Sequence, residues 1–557
     1  MKKNKILIAI LISLVGIFLF SLFKNIAYSL LWNDEAETAM FATRILKYGY
    51  PKVHDEKNSV LYSLEFPGKL GIDKKTDAYL GSTWGQYYFS VIGVFFANKV
   101  KDLYLKTAIV RIPFAIIGFF GLFFMVLSVI KLFYKNKTKM FLFLNLFILF
   151  EILSISLSLH LRETRYYSLV VFLSGCVFYA YFNFKFFMNI NANIYNILIV
   201  LLLLLLFNVF IPVFFIFLIV IGLYEFLDFL KEKKIKTFII NILPLIITSV
   251  LIIPFLIFFK TFDISRESAK YVNTHPHFEQ IVTVLSFFIK YEYLYLVLFV
   301  KLFLIGLWFY LKKLKNLDFE QKTNDLLKIR ISNFLSLFFI IYVIVIAKIP
   351  LSFIFERYFI VLQPVLIIIL LLDSFTVFEL LPQIKNFGLR ISYIKMVLFV
   401  AIISIFILNS MNKIESVKGH VYELFHQYKG PLDFVIPYIN SKYENTEKLI
   451  IATNYEEYSY MYYFDCKTIV GFLTNNLEED LKLTPDIIIF RKIRADKITQ
   501  VLFSTFFKKN RYEKVSFPFF DYPVNNIPEL RDKFLPHLFK TKIAQNQVEY
   551  LDMYLKQ

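Results

Sequence analysis

Leu31-Trp32-Asn33-Asp34-Glu35-Ala36-Glu37-Thr38-Ala39-Met40-Phe41-Ala42-Thr43-Arg44-Ile45-Leu46-Lys47-Tyr48-Gly49-Tyr50 is the stretch whose reading decides the fold. It follows an apolar run, Ile6 to Phe23, that is long enough to cross a bilayer. Trp32 therefore marks a membrane interface, and Asp34, Glu35 and Glu37 sit where the chain leaves the lipid. Asn33 or Asp34 is placed to cap a helix with an apolar face of Ala36, Met40, Thr43 or Ile45, and Leu46. Gly49 supplies its stop. The expectation is an acid pair fixed at the start of a helix on the membrane surface.

Outward from this stretch, composition sets the class. Hydrophobic residues make up 58% of the 557, with 67 Phe, and the mean hydropathy is +0.59. Most of such a chain is solvated by lipid. Cys176 and Cys466 are the two cysteines, one in an apolar run and one in the polar tail, which excludes a disulfide framework. The net charge is +19, yet Met411 to Gln557 carries 20 basic against 19 acidic residues. The basic excess thus lies between apolar runs, where it reads as positive-inside loops and phosphate-handling groups and not as nucleic-acid binding.

Apolar runs of bilayer length fall at 6–23, 108–130, 140–158, 166–184, 194–208, 209–229, 237–259, 291–311, 332–349, 354–372 and 394–410. The fold class expected is therefore mainly α, a polytopic membrane protein of about eleven spans. Basic connections at Lys131–Lys139, Lys185, Lys231–Lys236, Lys312–Arg330 and Lys385–Lys395 mark the inside. Opposite them lie 31–107, 160–165, 260–290 and 348–356. This predicts a membrane domain over 1–410, with 31–107 as a large first outside loop, and a soluble domain over 411–557 outside the cytoplasm. In that tail Leu449–Ala452 and Asp486–Phe490 read as buried strands and Tyr455–Phe464 as a helix, a small α/β unit.

The residues with chemistry cluster on the outside face. Asp34 and Glu35 offer a carboxylate to take a hydroxyl proton, or a pair to hold Mg²⁺ or Mn²⁺. The same residues would also serve as a plain helix cap. His160-Leu161-Arg162-Glu163-Thr164-Arg165-Tyr166-Tyr167 is squeezed between two spans. Arg162 and Arg165, three apart, share a face if the segment is helical, and Arg forks suit phosphate oxygens. Arg357 and Tyr358, in Phe355-Glu356-Arg357-Tyr358-Phe359, and Arg111, in Arg111-Ile112-Pro113, are further candidates for holding a phosphate or sugar. Ser265–Tyr271 is a candidate gate. His275 and His277 lack a third ligand and read as a solvent loop. No Gly-rich phosphate loop or nucleotide fingerprint is present, which argues against a nucleotide-sugar donor.

Taken in order, these motifs resemble the membrane glycosyltransferases of the C-type superfold. The branch they look closest to is that of protein mannosyltransferases and aminoarabinose transferases. The resemblance rests on Asp34-Glu35 after the first span, Ala42-x-x-Ile45-Leu46-x-x-Gly49-Tyr50-Pro51, Trp84-Gly85-Gln86-Tyr87-Tyr88, and Arg111-x-Pro113 with Gly118. Arg162-Glu163-x-Arg165-Tyr166-Tyr167 and Arg357-Tyr358 complete it, so that it covers roughly the first 370 residues. It implies inverting sugar transfer from a polyprenyl-phosphate donor to a cell-envelope lipid, glycan or protein acceptor. The transfer would take place outside the cytoplasm, at a plasma (inner) membrane. It also implies that Asp34 is the catalytic base and that Arg162 and Arg165 contact donor or acceptor. Where the aminoarabinose branch carries a Glu-Lys pair, this chain reads Gly81-Ser82-Thr83-Trp84, so the phosphate partner must be another basic residue. A lipid-oligosaccharide flippase would instead require ionisable residues deep in the spans, and a non-catalytic scaffold would have no need of Asp34.

Overall fold

The computed structural model describes residues 2–54, 71–264, 266, 276–313, 323–348, 355–381, 388–426, 429–470, 482–491, 497–520 and 550–557. The chain is mainly helical. Its first half runs α1 (Lys2–Phe23), α2 (Asn33–Tyr48), α3 (Gly85–Ala97), α4 (Leu103–Val129), α5 (Lys137–Ile152), α6 (Ile155–Leu161), α7 (Tyr167–Lys185), α8 (Ala192–Val209) and α9 (Ile211–Glu232). It continues through α10 (Ile235–Leu251), α11 (Ile253–Phe258), α12 (His277–Tyr291), α13 (Leu294–Lys313), α14 (Thr323–Ala347), α15 (Leu362–Leu380) and α16 (Gly388–Phe425). Among the described residues nine helices are long and apolar enough to cross a membrane, or up to ten if one bent pair counts as a span. Outward-facing Ile6, Ile12, Phe20, Leu201, Leu205 and Leu302 are exposed, as lipid-facing side chains are.

The expected polytopic helical class is thus met, and each of the apolar runs falls on a helix. The run at 140–158 is the bent pair: α5 and α6 meet at 80°. The run at 354–372 starts later, at Leu362, because Glu356–Phe359 forms a short 3-10 turn ahead of the helix. At the bend, Lys413 Nζ donates to the freed Leu153 carbonyl (3.2 Å) and to Glu292 Oε2 (3.3 Å). Ser154 Oγ also donates to Glu292, at 3.1 Å. A broken helix inside protein persists when its polar groups find such partners. The domain boundary expected at Met411 falls inside the continuous 38-residue α16, which carries the 394–410 run.

The bundle core is set by close approaches. On α4, a Cβ added at Gly121 would lie 2.7 Å from the Phe172 backbone nitrogen of α7. One added at Gly175 of α7 would lie 2.6 Å from the Gly121 carbonyl oxygen. These two helices touch backbone to backbone, as small residues permit in lipid.

The C-terminal part holds α17 (Leu432–Lys442), α18 (Glu457–Phe464) and α19 (Lys497–Lys509) around five strands. These are β1 (Ile450–Thr453), β2 (Lys467–Val470), β3 (Ile487–Ile489), β4 (Tyr512–Phe520) and β5 (Tyr550–Lys556), in the order β2-β1-β3-β5-β4. The first three pair in parallel, and β5 pairs antiparallel with both β3 and β4. The expected α/β unit is present, but it does not stand apart from the membrane half. One hydrophobic core joins Ala36, Met40, Tyr87 and Val110 to Leu432, Ile451, Tyr458, Tyr463 and Met553.

Gly121→Ala is expected to cost about 1–3 kcal/mol through overpacking. It would show as a lower thermal midpoint in detergent. Gly16→Ala, where nothing lies within 4 Å, is expected to leave the midpoint unchanged.

Candidate active site at one end of the bundle

Helix α2 begins at Asn33, with Trp32 as its flanking residue and no side-chain cap. The cap role expected of Asn33 or Asp34 is therefore not used, and both side chains are released for other contacts. Gly49 ends the helix at φ 85°, where its N–H bonds the Ile45 carbonyl at 2.8 Å, as expected for a left-handed stop. The buried face is Glu35, Ala36, Thr38 to Ala42, Arg44 and Ile45, wider than the stripe expected; Leu46 points out at 42% exposure.

Consecutive residues on a helix point about 100° apart, so Asp34 and Glu35 cannot serve the same partner. Glu35 turns inward and is fully buried. Arg111 of α4 grips it in a fork, Nε to Oε1 at 2.8 Å and Nη2 to Oε2 at 2.5 Å. The Thr164 N–H donates a third bond to Oε1 at 2.9 Å. The other Arg111 nitrogen, Nη1, donates to the Ile26 and Ser29 carbonyls at 2.9 and 2.7 Å. One ion pair thereby ties together the end of α1, the start of α2, α4 and the 162–166 turn.

Asp34 faces the other way and is 27% exposed at its side chain. Two guanidinium groups flank it, Arg165 Nη2 at 3.7 Å and Arg357 Nη2 at 3.6 Å from Oδ2. These are ionic distances and not hydrogen bonds, and no described group donates a hydrogen bond to this carboxylate. Its lone pairs stay open while two cations stabilise its charge.

Arg165 is the organiser of this face. Its Nη1 donates to the Asp34 carbonyl (3.1 Å), Glu37 Oε2 (3.3 Å) and Thr38 Oγ1 (3.3 Å). Positions 34, 37 and 38 form one stripe of α2, which is why a single side chain reads all three. Glu37 was not among the site residues expected from sequence, although its three-residue spacing from Asp34 was the available signal. Tyr87 Oη donates to Glu37 Oε1 at 2.6 Å. Burial pushes the Glu37 carboxyl up, against the opposing charge of Arg165, and the negative charge of Asp34 adds to the rise.

Arg162 and Arg165 do not share a helical face. Helix α6 ends at Leu161, and the two arginines leave an irregular turn in different directions. Arg162 pairs with Glu423 at the far end of α16 and donates to the Lys24 carbonyl at 3.3 Å. It is a brace between helices, and it does not join Asp34. Arg357 is buried among rings, 5.1 Å from Trp32 and 4.2 Å from Phe355, a setting that suits a flat guanidinium. Tyr166 and Tyr358 lie nearly parallel on Phe210, with centroids at 4.6 and 6.4 Å. Phe210 sits in the extended link between α8 and α9. The Tyr166 N–H donates to Gln86 Oε1 at 3.2 Å, which gives the Trp84-Gly85-Gln86-Tyr87 motif a purpose. Gly85 lets α3 approach the Asn208 carbonyl, 2.6 Å from where a Cβ would stand.

The donor set does not fit a divalent cation. Both Glu35 oxygens are spent on Arg111 and Thr164, and the remaining carboxylate, Asp34, has two guanidiniums beside it. His277 Nε2 lies 3.1 Å from the Ile344 carbonyl oxygen, while His275 falls outside the described residues. Of the candidate gate Ser265–Tyr271, Arg266 alone is described, paired with Asp263 at 3.0 Å. Among the described residues Cys176 and Cys466 form no disulfide.

Charge also lies within the spans, contrary to the expectation that it would gather at one interface. Lys301 of α13 pairs with Asp373 of α15 at 3.1 Å, and Ser332 Oγ of α14 donates to the same carboxylate at 2.6 Å. No family model matches this chain, and no curated protein matches it.

Removing one member of the buried fork leaves an uncompensated charge, so Arg111→Ala is expected to destabilise by about 3–5 kcal/mol. Thermal unfolding in detergent reads this, with Lys47→Ala, at the exposed end of α2, as a neutral control.

Proposed function

We propose that this protein is a multi-pass membrane glycosyltransferase resembling the C-type superfold. It would move a sugar from a polyprenyl-phosphate carrier to a cell-envelope lipid, glycan or protein acceptor on the outer face of the membrane. The observation that carries this reading is Asp34: a partly exposed carboxylate with free lone pairs, held between Arg165 and Arg357 beside an apolar bundle.

In the proposed reaction Asp34 takes the proton of the acceptor hydroxyl as that oxygen forms its bond to the anomeric carbon. The bond from the anomeric carbon to the carrier phosphate breaks, and its electron pair leaves with the phosphate oxygen. Arg165 and Arg357 offset the charge growing there, which replaces the role first considered for a metal ion. Glu35 and Arg111 act only by position, since neither presents an open group. Tyr166, Phe210 and Tyr358 offer ring faces beside the two arginines, suited to an apolar isoprenoid unit or a sugar face. One displacement with one base inverts the anomeric centre.

A flippase reading would draw on the Lys301–Asp373 pair. That pair is closed, since Lys301 Nζ donates also to Ser332 Oγ at 2.7 Å and Asn333 Oδ1 at 3.2 Å. It reads as a packing element between three helices.

The test is single-turnover release of free polyprenyl phosphate by the purified full chain, with a membrane extract as acceptor. Asp34→Asn is expected to slow release by about 10²-fold or more, and Arg357→Ala by about 10²–10³-fold, with both variants folded by thermal midpoint. Full activity in a folded Asp34→Asn variant would overturn the assignment.

A further inference from the structure

The C-terminal domain reaches the acid helix through Leu30, Leu31 and Asn33, just ahead of Asp34. Leu30 N–H donates to Asp433 Oδ1 at 3.1 Å and Leu31 N–H to Tyr463 Oη at 3.0 Å. Ser459 Oγ donates to the Leu31 carbonyl at 2.9 Å, and the Tyr458 N–H to Asn33 Oδ1 at 3.3 Å. Tyr463 Oη also meets Thr107 Oγ1 of α4 at 2.5 Å. Helix α18 is therefore bolted to the start of α2, and Glu457 stands one residue from a hydrogen bond whose other side is one residue from Asp34.

Glu457 and its neighbour Glu456 have different fates. Glu456, held at φ 65°, is neutralised by an ion pair with buried Arg491. Glu457 is 3% exposed and has no cation or hydrogen-bonding side chain beside it among the described residues. Across the interface the charges of Glu37 and Asp34 on α2 reach it. Of the three acids at the start of α2, Glu35 is spent on Arg111, Asp34 and Glu37 pair with Arg165, and Arg357 lies beside Asp34 with the charge of Glu163 also acting on it. Glu457 is the acid that the C-terminal part adds.

We infer that the C-terminal domain is part of the reaction centre and supplies Glu457 as a positioning acid, whose charge decides how well the two arginines hold the carrier phosphate. This rests on the glycosyltransferase reading above. With Glu457 neutral, its carboxyl adds no charge beside Arg165 and Arg357. With Glu457 ionised, a further negative charge opposes the phosphate across the interface. Burial, followed by the nearby charges of Glu456, Glu37 and Asp34, pushes the Glu457 carboxyl up to about 7, so the change falls at neutral pH.

Linkage fixes the sign for stability as well. The folded chain keeps a proton that an unfolded Glu releases near its ordinary value, about 4.3. The favourable contribution is thus full below that value and is lost as pH rises through about 7.

The experiment uses polyprenyl phosphate itself as probe, titrated into the full chain in nanodiscs at pH 6.5 and 8.5 without turnover. Tryptophan fluorescence is the readout, with Trp32, beneath Arg357, as the one of the three tryptophans that reports on the site. Wild type is expected to lose about fivefold or more in affinity between the two pH values beyond what Glu457→Gln loses; the phosphate's own ionisation is common to both. The wild-type thermal midpoint is expected to fall between pH 5 and 8, and the Glu457→Gln midpoint to change less. An identical pH dependence of binding in wild type and Glu457→Gln overturns the inference and leaves the glycosyltransferase reading standing. If wild type binds no polyprenyl phosphate at either pH, the glycosyltransferase reading fails first and the inference with it.

Discussion

The fork between Arg111 and Glu35 is the interaction on which the rest of this face depends. A buried ion pair is a poor source of net stability, because desolvation offsets most of its Coulomb gain. Its value here is registry. Arg111 satisfies two carbonyls of the 26–29 link and both oxygens of Glu35, and Glu35 takes the Thr164 N–H. Three segments distant in sequence can meet in one arrangement only if every member of that network is paired. Once α2 is fixed by Glu35, helix geometry directs the neighbouring Asp34 away from the core and onto Arg165 and Arg357.

This gives adjacent acids opposite tasks. Glu35 is dry, fully bonded and chemically silent, while Asp34 is partly wet and has open lone pairs. Arg165 links the two through its turn, since Thr164 holds Glu35 and Arg165 holds the Asp34–Glu37–Thr38 stripe. The C-terminal domain completes the frame from the other side by fixing residues 30, 31 and 33. A carboxylate positioned from two sides has little freedom left to lose, which is the preorganisation that the proposed proton transfer would require.

Local signals made much of this legible. The apolar runs placed the helices, Trp32 and Gly49 bracketed α2, and the Ile-rich segments marked β1 and β3. The acids and the arginine turns were visible as charges in places where lipid makes charge costly. What could not be read was partnership. Arg162 and Arg165 look equivalent in sequence, yet helix α6 stops at Leu161 and sends them to Glu423 and Asp34. Glu37 and Glu457 are ordinary helix residues until two elements more than 400 positions apart are docked. Strands β4 and β5 lack the dense apolar pattern of β1 and β3, and α16 runs unbroken across Met411. Periodicity reports a segment's own environment, while complementarity between segments has no local signature.

The most direct measurement of the central claim is the anomeric configuration of the transferred sugar. It would be read by NMR on product formed before any further processing, with the donor of known configuration. One carboxylate acting as base at Asp34, with the carrier phosphate held by Arg165 and Arg357, predicts complete inversion. Retained configuration would require a covalent sugar–enzyme intermediate and would contradict the account.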